Sequence, residues 1–282
     1  MRMGFQRGDD LFELEGVLWL WTRSVGQAIY DFDFDRMLGC RRPYDRPAQI
    51  EVVARIGAFD DYARTHAALL ESGLRLINDP NEHARASLLP RWYPLLEDMT
   101  PESLVFTERP DPRIIGETLG WPIFMKGVRQ TSRHRRSLAI IEDAEQLERA
   151  LDQYARDSML AWQDIVCRKF EALRPVDDPD PERIPSSFEF RSFWWRGRLV
   201  GFGRYWWYGV DYAPTPAERE AALAVASEAA RRVAVPFLVV DVAQRADGRW
   251  IVIECNDAQE SGYAGVSPLA MWRAVLDLQR AT

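Results

Sequence analysis

The stretch VVDVAQRADGRWIVIECND, residues 239–257, consists of two apolar runs joined by Asp247 and Gly248. Asp-Gly between alternating apolar residues is the strongest short-range signal for a β-hairpin with a two-residue turn, in which both central residues have positive φ. In that turn Ala246 pairs with Arg249, and this first pair determines the register of the whole hairpin. The stretch therefore predicts two antiparallel strands with a defined alignment.

In that register, polar side chains meet at the end of the hairpin far from the turn. Asp241 lies opposite Glu254, and Asn256 shares their face because side chains alternate along a strand. Directly opposed Cβ atoms are only about 4.5–5.5 Å apart, so two carboxylates repel unless a cation lies between them or one holds a proton. Two carboxylates and an amide oxygen are ligands that Mg²⁺ accepts. The hairpin predicts a metal site, with a solvent-facing polar strand end as the alternative.

The composition is that of a globular protein. The chain has 282 residues, 47% hydrophobic and 28% charged, so it can bury a substantial core in one or two domains. The net charge of -7 argues against general nucleic-acid binding. The three cysteines lack metal-ligand spacing, which suits a protein in a reducing compartment. The sequence contains no run of about 18 apolar residues, so no membrane span is predicted. We therefore expect a cytoplasmic protein.

Lysine usage is unusual in this chain. Of the 36 Lys and Arg residues, only Lys126 and Lys169 are lysines. Both come at the ends of predicted strands that flank one predicted helix, between about residues 143 and 158. A lysine ammonium is a compact charge that suits phosphate oxygens. We interpret the pair as candidate phosphate contacts, with chance retention of two lysines as the alternative.

Further polar residues extend this set. The basic loop after Lys126 contains Thr131 and Ser132, whose hydroxyls could help to cover a polyphosphate, although an exposed basic turn fits the same pattern. Arg191 alternates with large aromatic residues in FEFRSF. From its face of the strand it could reach an anionic ligand or form an ion pair with Glu189 or another carboxylate.

The order of predicted elements favours an α+β fold. A helical region up to residue 95 is followed by a strand, the basic loop, a second strand over Ser137–Ile141 and an amphipathic helix. Two hairpins with a helix between them come next, the first turning at Arg196 and Gly197, and a helix ends the chain. Hairpin-connected strands among helices indicate antiparallel sheets rather than a parallel doubly wound sheet.

Taken in order, these segments resemble the ATP-grasp superfamily. The matching pieces, over roughly residues 75–275, are PIFMKGVRQTSRHRRSLAIIEDAEQLERAL, IVCRKF, FEFRSFWWRGRLVG, the opening hairpin and the last helix. The combination looks closest to the phage- and bacteria-associated branch named for one arginine and two lysines. The resemblance implies an ATP-grasp domain at 96–282, whose α+β subdomains at about 96–178 and 185–282 enclose the nucleotide, after an N-terminal pre-ATP-grasp region at 1–95.

The resemblance also implies roles for individual residues. Lys126 and Arg191 would be catalytic, Lys126 at the phosphates of ATP and Arg191 at a phosphate or an acyl phosphate. The loop with Thr131 and Ser132 would cover the phosphates. The metal set would hold one or two Mg²⁺; its members are Asp241, Glu254 and Asn256.

An adenine-side hinge is implied at the strand that carries the second lysine. Its residues are Cys167, Arg168, Lys169 and Phe170. Many ATP-grasp hinges have an acidic residue where this chain has Arg168. An upstream phosphate-binding lysine is also missing, and Arg85 or Arg91 is a candidate replacement.

The implied activity is that of an ATP-dependent carboxylate–amine ligase, in which a substrate carboxylate takes the γ-phosphoryl group and an amine then displaces phosphate. ATP and Mg²⁺ would be the cofactors, and small-molecule or peptide carboxylates and amines the substrates, with no membrane or nucleic-acid partner. An ATP-grasp phosphotransferase and a catalytically silent Mg-ATP-binding module are the alternatives. The segment NDAQESGYAGVSP after the hairpin would line the acceptor pocket or be a plain loop.

Overall fold

A computed structural model describes residues 50–55, 61–71, 73–129, 135–157, 160–177, 182–206 and 210–280. Its N-terminal part contains β1 (Ile50–Val52), α1 (Tyr62–Glu71), β2 (Leu74–Leu76), α2 (Pro80–Ser87) and α3 (Leu89–Leu96). Strands β1 and β2 pair in parallel. Helix α1 ends before Gly73, whose φ of 80° is a left-handed conformation that glycine adopts without strain.

The next segment forms a four-stranded antiparallel sheet, here called the first sheet. Its elements are β3 (Ser103–Phe106), α4 (Pro112–Thr118), β4 (Ile123–Gly127), α5 (Arg136–Ala139), β5 (Ile140–Ile141), α6 (Ala144–Tyr154) and β6 (Ile165–Lys169). The strand order is β3-β6-β4-β5. Helices α4 and α6 cover one face of this sheet with an apolar core. Asp143 caps α6 by accepting from the backbone N–H of Gln146, so the helix begins where the sequence predicted.

One predicted strand in this segment is wrong. The sequence predicts a strand over Ser137–Ile141, but the structure has the short helix α5 and only Ile140–Ile141 as strand. The side chains of residues 138–141 are all buried. A continuous apolar run carries no periodicity that separates helix from strand, which explains the error.

The last segment forms the second sheet, also antiparallel, with the order β10-β9-β7-β8. Its elements are β7 (Glu189–Trp195), β8 (Arg198–Arg204), α7 (Pro216–Val233), β9 (Phe237–Gln244), β10 (Trp250–Asp257) and α8 (Pro268–Arg280). The β7–β8 hairpin turns at Arg196 and Gly197, as predicted, with φ of 47° and 76°. The predicted α+β class is confirmed.

The β9–β10 hairpin has a different turn from the predicted one. The N–H of Arg245 donates to the carbonyl of Arg249 at 2.8 Å, which leaves a three-residue loop, and of the three only Gly248 has positive φ. Asp247 instead accepts from the N–H of Arg249 at 3.1 Å. The strands therefore leave the turn one residue out of the predicted register, with Trp250 opposite Gln244.

A β-bulge restores the predicted pairing further along. The register shifts between Val252 and Glu254, so Ile253 is the extra residue and Asp241 does lie opposite Glu254. Val252 and Cys255 are buried in the core, whereas Ile253 and Glu254 are partly exposed. The bulge thus directs two successive side chains, Ile253 and Glu254, away from the core.

The two faces of the second sheet have different environments. One face, with Phe190, Val240 and Val252, packs against α7. The opposite face packs its apolar part, Phe193 and Val239, against α8. Further along the strands, alternation places a set of polar residues on this second face: Glu189, Arg191, Asp241, Glu254 and Asn256.

Candidate functional site

Two ion pairs lie on the polar part of this face. Lys126 of β4 in the first sheet pairs with Glu254 of β10 in the second. Arg191 of β7 forms a two-pronged pair with Asp241 of β9, with Nε to Oδ1 at 2.9 Å and Nη2 to Oδ2 at 2.7 Å. Lys126 is 3% exposed and Asp241 is 1% exposed. Of the two lysines predicted as phosphate contacts, Lys126 therefore lies in one largely buried group with Arg191 and the predicted metal ligands, whereas Lys169 lies outside it. We call this group the charge cluster; its members are Lys126, Arg191, Asp241, Glu254 and Asn256.

The surroundings of the charge cluster change the proton affinities of its acids. Burial raises the pKa of Asp241, and the Arg191 guanidinium opposes this rise. Burial also acts to raise the pKa of Glu254, but Lys126 and Arg191 together with the Asn256 hydrogen bond outweigh it, and the pKa lies below its usual value. The surroundings therefore favour the ionised form of Glu254 and act against that of Asp241, although each carboxyl group is paired with a cation.

Arg191 and its surroundings resolve a choice that the sequence leaves open. The guanidinium forms the ion pair with Asp241 rather than with Glu189, and its Nη1 donates to the carbonyl of Gly262 at 2.8 Å. The ring of Tyr205 lies 5.0 Å from the guanidinium carbon. Arg191 thus connects the charge cluster to the loop after β10, which belongs to the segment predicted as an acceptor-pocket wall.

A cavity of about 530 Å³ lies beside the charge cluster. Its lining includes Phe124, Ile140, Lys169, Phe170, Ile184, Ser187 and Ile253. Phe124 is two residues before Lys126 on β4, and Ile253 directly precedes Glu254 on β10. The cavity lining and the charge cluster are therefore neighbours along two strands, and the bulged part of β10 contributes a residue to each.

The predicted hinge residues separate into three positions. Lys169 and Phe170 line the cavity, together with Arg168. The Arg168 guanidinium also bridges the sheets, since Nη1 donates to the carbonyl of Ile253 at 2.7 Å and Nε to Ser103 Oγ at 3.1 Å. Burial lowers the pKa of Arg168 to about 10. Cys167 instead lies in the core of the first sheet, where burial raises its pKa to about 12, and it is not part of the cavity lining.

The other predicted residues are more distant or not described. Thr131 and Ser132 lie outside the described residues. Arg85 donates to the carbonyl of Ala234 at 3.0 Å, at the end of α7, which covers the opposite face of the second sheet from the charge cluster. Arg91 is exposed on α3.

The loop after β10 contacts both the N-terminal part and the residues after β4 through polar contacts that the sequence did not predict. Glu260 accepts from Arg129 at 2.8 Å and pairs with His83 at 3.0 Å. Gln259 accepts from the N–H of Ala54 at 2.9 Å. One turn after His83 on α2, the Ser87 hydroxyl accepts from the N–H of Asp257 at 3.1 Å, so a polar face of this helix was the available signal.

The donor set of the charge cluster suits magnesium and a polyphosphate. Asp241, Glu254 and Asn256 offer hard oxygens, and Lys126 and Arg191 offer cations for phosphate oxygens. In this structure each carboxyl group is paired with a cationic side chain. A bound magnesium polyphosphate would supply Mg²⁺ for the carboxyl groups and phosphate oxygens for Lys126 and Arg191. Within the described ranges, no group of three or more His, Cys, Asp and Glu is arranged to hold a metal ion, and the predicted set has two acids and an amide.

Comparison with known proteins identifies the fold family. Residues 102–275 match the model of the ATP-grasp domain, R2K clade family 3. The chain belongs to this ATP-grasp family. The ATP-grasp fold predicted from the sequence is therefore confirmed. No curated protein matches the chain by sequence.

Solved structures share the ATP-grasp fold. They include a D-alanine–D-alanine ligase from Bacillus anthracis complexed with ATP, with 15% identity and a TM-score of 0.57 over 81% of this chain and 75% of that one. An ATP-grasp RimK domain protein from Sphaerobacter thermophilus has 15% identity and a TM-score of 0.55 over 98% and 96%. The VanG D-Ala:D-Ser ligase from Enterococcus faecalis has 14% identity and a TM-score of 0.52 over 76% and 64%.

At these identities the likeness concerns the fold alone.

In the part of the ATP-grasp chain that the structure describes, no helix combines the length and apolarity that crossing a membrane requires.

Proposed function

We propose that the protein is an ATP-dependent carboxylate–amine ligase that acts through an acyl phosphate. The observation that carries this proposal is that the lining of an apolar cavity and the buried charge cluster occupy neighbouring positions on β4 and β10, one strand from each sheet. An apolar cavity suits a purine base, and the cations suit the phosphates. We also assign the chain to the ATP-grasp branch named for one arginine and two lysines, and to the cytoplasm.

The proposed nucleotide contacts follow the predicted positions. Lys126 and Arg191 bind the phosphates, and Lys169 and Phe170 bind the adenine side with the rest of the cavity lining. Asp241, Glu254 and Asn256 hold one or two Mg²⁺, which would neutralise phosphate charge when bound. The domain boundaries proposed from the sequence are 1–95 for the N-terminal region and 96–282 for the ATP-grasp domain, with subdomains at about 96–178 and 185–282.

The chemistry that we propose needs positioning and charge stabilisation rather than a protein nucleophile. Arg191 donates a hydrogen bond to the carbonyl of Gly262, so its guanidinium lies beside the loop that we propose lines the acceptor pocket. A phosphoryl group bound at Arg191 would then be close to a substrate carboxylate that is bound against that loop. Negative charge that develops during phosphoryl transfer is stabilised by cations already in place.

The test measures ADP release with Mg-ATP and panels of small and peptide carboxylates and amines, with hydroxylamine added to trap an acyl phosphate. A ligase produces ADP and an amide and requires both substrates. A phosphorylated product without an amine requirement identifies the phosphotransferase, and nucleotide binding without turnover identifies the silent module. Lys126→Ala should abolish turnover, whereas Arg149→Ala, at an exposed position on α6, serves as the matched control.

A further inference from the structure

The bulge in β10 is held by hydrogen bonds from residues outside the second sheet. The N–H of Val252 donates to the carbonyl of Met99 at 2.8 Å, and the Thr100 hydroxyl donates to the carbonyl of Val252 at 2.8 Å. The next carbonyl, that of Ile253, accepts from Arg168 Nη1 at 2.7 Å. The segment before β3 and strand β6 therefore bind two successive carbonyls at the bulge.

The Arg168 side chain is held through each of its nitrogens. Nη2 donates to the Thr100 hydroxyl at 2.5 Å and Nε donates to Ser103 Oγ at 3.1 Å. The residue is 4% exposed, and its guanidinium carbon lies 5.9 Å from the centre of the Trp92 ring. The guanidinium is therefore fixed in place, with Nη1 at the carbonyl of Ile253.

These contacts require an arginine. Two hydroxyl oxygens and a carbonyl oxygen act as acceptors toward Arg168. A guanidinium presents five N–H donors in a planar fork and can bind all three acceptors at once, whereas a lysine ammonium is a point charge on a flexible stem and a carboxylate offers no donor. The acceptors around position 168 thus explain why the acidic residue of many ATP-grasp hinges would not fit here.

The bulge determines where the Glu254 side chain lies. Side chains alternate along a regular strand, so Ile253 and Glu254 would lie on opposite faces, and the extra residue at the bulge allows both to leave the core. Ile253 then lines the cavity, and Glu254 pairs with Lys126 in the charge cluster. The position of the Glu254 carboxylate therefore depends on the contacts that hold the bulge.

We propose that Arg168 is a positioning residue for the metal site, because it holds the bulge and so places the Glu254 carboxylate where it can bind Mg²⁺. The inference rests on the proposed function, since it concerns the Mg²⁺ that binds with ATP. Arg168 acts through Glu254 and does not itself touch the metal. Residues that orient a metal ligand contribute about 10–100-fold to metal affinity.

The experiment measures the dissociation constant of ATP by calorimetry, once with EDTA and once with saturating Mg²⁺. The ratio of the first constant to the second reports the contribution of the metal site. Arg168→Met should lower this ratio about tenfold or more relative to the wild type, because the bulge no longer holds Glu254 in place. A merely structural loss would weaken binding by the same factor in both titrations and leave the ratio unchanged.

A second variant covers the case in which Arg168→Met does not fold. Arg168→Lys keeps the charge but cannot bind all three acceptors, so it should also lower the ratio, by a smaller factor than the methionine variant. A wild-type ratio in either variant overturns the proposal and leaves the nucleotide site standing.

Arg174→Met is the matched control. Arg174 also binds the second sheet, with Nη1 donating to the Gln244 side chain at 2.9 Å, but at the end of β9 next to the turn and away from the bulge. This variant should keep the wild-type ratio. If the wild type does not bind ATP, or binds it equally with EDTA and with Mg²⁺, the proposed function fails and the inference fails with it.

Discussion

Removing one partner of the Arg191–Asp241 pair should destabilise the protein strongly. Arg191→Met leaves the Asp241 carboxylate, 1% exposed, without the two guanidinium hydrogen bonds at 2.9 and 2.7 Å. Breaking a buried ion pair from one side costs about 3–5 kcal/mol, because the remaining charge is left without compensation. Asp241→Leu should have a cost of the same size, since it leaves the guanidinium with only the Gly262 carbonyl.

The double variant Arg191→Met/Asp241→Leu should be much less destabilised than the sum of the two single variants. Replacing both charges by apolar side chains removes the desolvation cost as well as the attraction, and such exchanges are often near neutral. We therefore expect a coupling free energy of about 3 kcal/mol or more. The assay is urea unfolding at neutral pH, monitored by tryptophan fluorescence, with free energies of unfolding from linear extrapolation.

The exposed pair Arg113–Asp111, at 3.0 Å with side chains 85% and 36% exposed, is the matched control. A surface pair contributes about 0–1 kcal/mol, so its cycle should show little coupling. Single-site costs below about 1 kcal/mol at Arg191 and Asp241, or additive costs in their double variant, would refute the account of this cluster.

Three further predictions concern the surroundings of the site. Glu260→Gln should lower the free energy of unfolding in urea by about 3 kcal/mol, because it removes a buried charge that Arg129 pairs with, and a cost within about 0.5 kcal/mol of zero would contradict this. Ala234→Gly should raise the thermal midpoint by a few degrees, since Ala234 ends α7 with φ of 51°, and a lower midpoint would count against the argument. Cys167 should resist iodoacetamide at pH 8 in the folded protein and react in urea, because burial raises its pKa to about 12; mass spectrometry of its peptide would reveal equal labelling in both states if this is wrong.

Features defined by local pattern could be predicted from the sequence. Lys126 and Lys169 lie in predicted strands, and the turn at Arg196 and Gly197 follows from local turn chemistry. The pairing of Asp241 with Glu254 was also predicted correctly, but from a two-residue turn that does not form. The three-residue loop shifts the strand register by one residue, and the bulge at Ile253 shifts it back. Without the bulge, the one-residue shift would have placed different side chains on the face that carries the charge cluster.

Features that depend on contacts distant in sequence could not be predicted. Cys167 on β6 was predicted to contact the nucleotide, whereas its side chain packs against α4 and α6 in the core of the first sheet. The contacts of His83 and Arg129 with Glu260 join segments more than 100 residues apart, so the polar face of α2 gave no indication of the partner that it contacts.

The central claim is that the buried charge cluster and the adjoining cavity form a Mg-ATP site. Calorimetric titration of ATP with and without Mg²⁺ into the wild type, Lys126→Ala and Glu254→Ala tests it most directly. The account predicts micromolar, metal-dependent binding to the wild type and loss of that binding in both variants. Absence of binding to the wild type, or binding that needs neither Mg²⁺ nor these two side chains, would contradict it.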